Sequence, residues 1–365
     1  MTGDTVGGVW TFAMELAEGL GQQGVEVLLA TFGGSYSAAQ LAEASEIPSL
    51  HLLGSNFRLE WMEDPWADIQ RSGKWLLDLE ASFQPDVIHL NSMGHGTLPW
   101  RAPVLLTAHS CVSTWWRAVK GEELPPSWSR YRQAVESSIN AVDFLTAPSR
   151  ALLDSLQQSY RISLEPERRK LIANSRSGAR FYSGVKEPFI LTAGRLWDEA
   201  KNVASVVHAA PRLRWPVYLA GDQTGPGGEA ADLGGCTALG KLSTEELAGL
   251  YARASIYALP ARYEPFGLSA VEAALSGCAL VLGDIPSLRE IWGDAAVFVR
   301  PSDPEGLAAV INLLIADPDV RGELASRATA RAREFNTGRM AKAYLDCYGE
   351  ATKVRNNMRK LACAV

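Results

Sequence analysis

Apolar residues along the chain alternate between short runs and stretches where they recur every three or four positions. Val9, Ala13, Leu16 and Leu20 fall on one helical face, Gly24 stops that pattern, and residues 25–30 read as a strand. Further strand-like runs follow at 86–90, 103–107 and 142–146, with helical stretches between most of them. The second half repeats the scheme at 189–193, 217–220, 255–260, 279–282 and 296–299. Strands alternating with helices predict βαβ units and parallel sheets, and so an α/β protein. The opening does not fit the scheme: no apolar run precedes the first helix, so either a first strand is missing or the domain is built without one. The charged stretch 161–170, which holds Pro166, and residues 175–188 read as the connection between two domains. The tail from Thr337 is helical by pattern, with Met340, Ala343, Tyr344 and Cys347 on one face. The predicted division is a first domain over 1–175, a second over 185–336 and a terminal helix over 337–360.

The length of 365 residues suits two domains. A net charge of -6 argues against nucleic acid as the main partner, because a protein that grips phosphate backbones carries a basic face. The five cysteines (Cys111, Cys236, Cys278, Cys347, Cys363) are scattered without a C-x-x-C pair, the pattern of free thiols in a reducing compartment. No run approaches the ~18 apolar residues of a membrane helix. The start, Met1-Thr2-Gly3-Asp4, has neither the basic nor the apolar region of a signal peptide, which makes the cytoplasm the expected location.

The sharpest chemical signal is Glu264-Pro265-Phe266-Gly267-Leu268-Ser269-Ala270-Val271-Glu272, which follows a predicted strand and enters a helix over 268–276. Apart from Glu272, that helix carries only apolar or small residues, so it is expected to be buried. A carboxylate beside such a stripe needs hydrogen-bond partners. A ribose diol would supply two donors, and a neighbouring arginine would serve as well. Gly267 lets backbone amides approach a phosphate at the positive end of the helix. A second element, Gly194-Arg195-Leu196-Trp197-Asp198-Glu199-Ala200-Lys201-Asn202, sets Arg195 at a strand end and Lys201 at the start of a helix over 202–210. The two cations suit a bound anion, or else a salt bridge to Asp198 or Glu199. Both elements lie past the carboxyl ends of strands, where open α/β sheets bind ligands. A third, Thr5-Val6-Gly7-Gly8-Val9-Trp10, opens the first helix with two glycines, for close approach to a diphosphate or as a plain turn. His109 follows a strand on the same kind of edge, as a site residue or a structural histidine. Asp317-Pro318-Asp319 has the form of a metal-binding D-x-D, but its proline fits a helix start, and it reads as punctuation. No G-x-G-x-x-G follows a strand, and no zinc-ligand spacing stands out.

Together these residues resemble the retaining glycosyltransferases of the "group 1" family, the family four type, over nearly the whole chain. Supporting landmarks are Ala147-Pro148-Ser149, Gly221-Asp222, Leu239-Gly240 and Ile285-Pro286-Ser287 with Glu290. The resemblance implies a GT-B fold: two Rossmann-like domains, a donor/acceptor cleft between them and a C-terminal crossover helix. It implies a nucleotide-diphosphate sugar as donor substrate, with no cofactor and no metal. Arg195 and Lys201 would neutralise the diphosphate, and amides at Phe266, Gly267 and Leu268 would hold phosphate or sugar hydroxyls. Glu264 would contact the donor sugar, Glu272 the ribose, Gly7 and Gly8 the donor from the first domain, and His109 the sugar. The acceptor would be a glycan, a lipid-linked molecule or a small molecule. A catalytically silent homologue, or a GT-B phosphorylase or epimerase, are the alternatives.

Eight of the eleven tryptophans precede residue 130, on what the resemblance makes the acceptor side. Trp115 and Trp116 could stack on a sugar, whereas core filling is the other use of such rings. The first helix carries Glu15 and Glu18 and no Lys or Arg, against membrane docking.

Overall fold

The computed structural model describes residues 1–5, 7–225, 228 and 230–362, with side chains as far as 356. Val6 of the glycine-rich opening and Cys363 of the cysteine set lie outside the described residues. The chain divides into two compact units. The first comprises Met1–Trp116, Glu122–Ser175 and the stretch from Thr337 on; the second comprises Arg117–Gly121 and Arg176–Asn336.

In the first unit, β1 (Thr2–Asp4), β2 (Val27–Phe32) and β3 (Leu50–Gly54) form one parallel ladder. A second parallel ladder runs β4 (Ile88–Leu90), β5 (Val104–Thr107), β6 (Phe144–Ala147), β7 (Arg169–Leu171). The period of two sends alternate residues to opposite sides. Val104 and Leu106 face one core with Leu90, Leu145 and Tyr131, while Leu105 faces the other with Phe144, Trp10 and Phe12. Both faces of β4, β5 and β6 are covered, which is why those strands read as continuous apolar runs.

Two expectations change here. The opening is not without a strand: Thr2–Asp4 pairs with Ala30–Phe32 in parallel. Its three residues include glycine and aspartate, both poor strand formers, so no apolar run announces it. The stretch 161–170 is not a linker but leads through a short helical turn, Pro166–Arg168, into β7. That strand lies at a sheet edge, where charged residues are tolerated and guard the open side. Lys170 meets Glu350 at 2.7 Å.

The helix Thr337–Ala362 packs on the helix Gly8–Gly21, within the first unit. Met340, Ala341, Tyr344, Cys347 and Ala351 complete the core that holds Trp10, Phe12 and Leu16. The approach at Gly19 is so close that an added Cβ would lie 2.8 Å from that of Ala341. Hydrogen bonds fix the register of the contact. Thr337 donates to Glu15 at 2.7 Å, and the buried His89 is held between Thr107 and Tyr348, each at 2.7 Å.

The second unit is a six-stranded parallel sheet in the order β10 (Thr237–Gly240), β9 (Val217–Ala220), β8 (Glu187–Ala193), β11 (Ala254–Leu259), β12 (Ala279–Gly283), β13 (Val297–Val299). Leu191, Tyr257, Leu259 and Leu280 fill one side, and Ile190, Ile256, Ala258 and Val281 the other. Asp317 caps the helix Pro318–Ala332 by accepting from the Val320 amide at 3.1 Å, so the D-x-D form is punctuation.

Candidate functional site

In the second unit three strand ends bring the candidate residues together. After β8 the backbone turns at Gly194, whose φ is 146°. Gly221, just past β9, has φ 137° and lies so close that a Cβ there would fall 1.7 Å from the Gly194 carbonyl oxygen. Only two glycines allow these turns to meet. From the first turn Arg195 reaches out, half-exposed, with its guanidinium 2.8 Å from Asp198. Asp198 also accepts from the Ala200 amide at 3.0 Å and so caps the short turn Glu199–Lys201. Lys201 therefore ends a 3-10 turn and does not open the following helix, which begins at Val203. Between them Asn202 takes a left-handed φ of 56°, held by its side-chain amide donating to Pro260 and Pro301 carbonyls at 2.8 and 2.7 Å.

The Lys201 ammonium donates to the Glu264 carboxylate, which stands in the loop after β11. Glu264 is buried. Its other oxygen accepts from the Phe266 amide at 3.3 Å, and its carbonyl accepts from the Ser287 hydroxyl at 2.5 Å. Gly267, with φ 90°, caps the helix Leu268–Leu275, so the Gly267 and Leu268 amides stand at a helix N-terminus. The Phe266 amide instead faces the Glu264 carboxylate. Ser269 accepts from Tyr257, whose hydroxyl also contacts the Ala193 carbonyl, and burial raises that phenol above its usual range.

Glu272 lies on the same helix, buried, and accepts from Arg176 Nε at 2.7 Å. Of the two partners the sequence allows for it, the structure holds the arginine. Arg176 is itself buried, packs over the Phe181 ring at 5.0 Å, and donates its backbone amide to Phe335 at 3.1 Å. Sequence reasoning passed over Arg176 because it lies 96 residues away, in a stretch without periodic pattern. A buried carboxylate on an otherwise apolar helix was the available signal that some cation must face it.

The other candidates lie in the first unit. Gly7 adopts φ 92°, a conformation that favours glycine, and caps the helix that begins at Gly8. His109 follows β5, half-buried, its ring 4.5 Å from that of Phe12 and its Nε2 2.8 Å from Asn91 Oδ1. Burial lowers its pKa to about 3, so the ring is neutral at ordinary pH. Among the tryptophans, Trp10 and Trp100 are core, and Trp61, Trp66, Trp75 and Trp128 pack against it. Trp115 and Trp116 lie side by side at 6.2 Å on the helix Val112–Lys120, half-buried. Among the described residues no group of three or more His, Cys, Asp or Glu is placed to hold a metal ion. No helix among them is long and apolar enough to cross a membrane.

Residues 6–175 match the model described as Glycosyltransferase Family 4, and residues 187–317 match that of Glycosyl transferases group 1. The chain is 28% identical to the D-inositol 3-phosphate glycosyltransferase of Xylanimonas cellulosilytica, covering 97% of this chain and 94% of that one. It is 30% identical to the glycogen synthase of Mycobacterium tuberculosis over 74% of this chain and 70% of that one. Among solved structures, sucrose-phosphate synthase from Thermosynechococcus elongatus superposes with a TM-score of 0.76 at 19% identity, over 100% of this chain and 96% of that one. Anabaena HepE in complex with UDP and glucose gives 0.74 at 15% identity, over 96% and 100%. At such identities the structural likeness carries the fold alone: two Rossmann-like α/β units of the GT-B type. Sequence and fold together lead to one conclusion, that the chain belongs to the group 1 glycosyltransferases of the family four type.

Proposed function

We propose that the chain is a retaining glycosyltransferase that moves a sugar from a nucleotide-diphosphate donor, without a metal, to a carbohydrate, lipid-linked or small-molecule acceptor. The observation that carries this reading is the placement of Arg195 at the end of β8 and of the Lys201–Glu264 pair between the ends of β8 and β11, with a glycine-capped helix N-terminus following Glu264. The glycosyltransferase and glycogen synthase among the relatives, and the UDP and glucose bound by Anabaena HepE, support a sugar nucleotide as donor.

Breaking the donor's glycosidic bond produces an oxocarbenium-like sugar and a nucleoside diphosphate whose negative charge grows. Arg195 and Lys201 face that charge. A diphosphate entering this corner exchanges the carboxylates of Asp198 and Glu264 for phosphate oxygens as partners of the two cations. Glu264, released from Lys201, is then free to accept from a sugar hydroxyl. The Gly267 and Leu268 amides add fixed donors at the positive end of their helix. Such preorganised donors stabilise the transition state without reorganisation, and removing one typically costs roughly 10²–10³ in rate. Glu272 takes the ribose hydroxyls while keeping Arg176. From the first unit, Gly7 and Gly8 approach the donor and His109 contacts the sugar. Attack on the same face retains the anomeric configuration, and the departing phosphate accepts the acceptor's proton.

The test is a thermal-shift panel of nucleoside diphosphates on the wild type, Arg195→Ala and Glu272→Ala. The expected result is selective stabilisation by one nucleotide, weakened in both variants. Absence of stabilisation by any nucleotide in folded protein would refute the reading and favour a silent homologue.

A further inference from the structure

The carboxyl edge of the first unit's sheets holds a hydrogen-bond chain that ends at His109 and whose other members the donor chemistry above does not use. Strands β1 and β4 lie side by side but belong to separate ladders. Asn91, one residue past β4, joins them. Its backbone amide donates to Thr2 Oγ1 at 2.8 Å, and its side-chain Nδ2 donates to the Thr2 carbonyl, also at 2.8 Å.

That second bond fixes which way the Asn91 amide points. A carbonyl oxygen only accepts, so the atom facing Thr2 is the NH2, and the other end of the side chain is the acceptor Oδ1. Oδ1 lies 2.8 Å from His109 Nε2. An acceptor at that distance requires Nε2 to carry a proton, and in a neutral ring this leaves Nδ1 with its lone pair. The imidazole is neutral because burial lowers its pKa to about 3. Phe12, on the helix that Gly7 caps, packs against the ring at 64° and fixes its plane. A ring so held is a poor general base near neutral pH, because its pKa lies far below the operating range. It is instead a fixed hydrogen-bond acceptor.

We propose that Asn91 is a positioning residue that locks His109 in the Nε2–H tautomer, so that Nδ1 presents one oriented acceptor to a sugar hydroxyl of the substrate. This rests on the transferase reading, with His109 at the sugar. β1, too short to show in the apolar pattern, thereby anchors a substrate contact: Thr2 orients Asn91, and Asn91 orients His109.

The experiment uses the full chain labelled with [15N]histidine. Ring nitrogen shifts report the tautomer of each histidine, and the His109 signals are assigned by their loss in His109→Gln. In the wild type, His109 is expected as Nε2–H and unchanged from about pH 5 to pH 8. In Asn91→Leu the preference is lost, and kcat/KM falls about 10-fold, the effect of one misplaced hydrogen bond. Asn91→Asp loses the side-chain donor to the Thr2 carbonyl but keeps the backbone bond to Thr2 Oγ1 and an acceptor for Nε2, so the tautomer stays. Its charge lifts the imidazole's titration toward the accessible range, and kcat/KM then varies with pH where the wild type is flat. That pH profile is a readout that a merely structural residue would not move, and it serves also if the leucine variant fails to fold. Nucleoside diphosphate binding, built in the second unit, stays within twofold in both variants. An Nδ1–H tautomer in the wild type, or an unchanged tautomer in Asn91→Leu, overturns the proposal. Loss of the tautomer preference with no change in kcat/KM overturns its substrate half. Absence of nucleotide binding by the wild type also removes the substrate, and is told apart because the tautomer signals do not depend on it.

Discussion

Arg176→Met keeps most of the side chain's length and removes its charge. The Glu272 carboxylate, only 10% exposed, then loses the guanidinium held against it. At an effective dielectric near 20, unit charges 2.7 Å apart attract by about 6 kcal/mol, an upper figure because burying both groups offsets much of it. Breaking a buried pair from one side typically costs about 3–5 kcal/mol, since the remaining charge stays in place without compensation. The same range is expected for Arg176→Met. Glu272→Gln keeps the shape and removes the other charge. The double variant Arg176→Met/Glu272→Gln is therefore expected to lose less than the sum of the two singles, by about 2 kcal/mol or more. Urea unfolding measures this, read on the transition that bound nucleotide shifts. Additivity within about 0.5 kcal/mol would mean the two side chains do not depend on each other, and would refute the reasoning.

At Gly221, an alanine Cβ would collide with the Gly194 carbonyl from a backbone φ of 137°. Gly221→Ala is expected to cost about 3 kcal/mol or more and to weaken nucleotide binding together with stability; an unchanged Tm would refute the packing described. Glu60 is buried, accepts from the Met93 amide at 2.8 Å and has a second oxygen, Oε2, without a hydrogen-bond partner, so burial pushes its carboxyl above the usual range. The folded state thus holds this proton more tightly than the unfolded chain, and the stability it contributes is full below the ordinary carboxylate value and lost as pH rises through the raised one. Glu60→Gln is accordingly expected to raise Tm near pH 7 and to change it little near pH 4; equal shifts at both would refute the assignment.

Most strands read from sequence are buried on both faces, such as β5 and β11, where every residue is inside and the run is continuous; the edge strand β13 is read from its apolar run alone. Those it passed over have weak patterns for a physical reason. β3, β7 and β10 are edge strands with exposed positions, and β1 is three residues long. The same distinction holds in the candidate site. Arg195, Lys201, Glu264 and Gly267 sit in short local elements next to strong strands and could be picked out by spacing. Their pairing could not be: Lys201 meets Glu264 across 63 residues, and Glu272 meets Arg176 across 96. Asn91 lacked any local signal, since its role depends on a strand the pattern did not contain.

The helix Thr337–Ala362 supplies Met340, Tyr344 and Cys347 to a core whose other walls come from the first half of the chain. Between those two contributions lies nearly the whole second unit, an almost continuous stretch from Arg176 to Asn336. During synthesis the second unit can therefore close its own core while the first still waits for a helix not yet translated. The first unit meanwhile exposes the apolar groove around Phe12, Leu16 and Leu105 that this helix will fill. The order in which the cores can close then runs against the order of the sequence, the second unit being complete before the unit that precedes it.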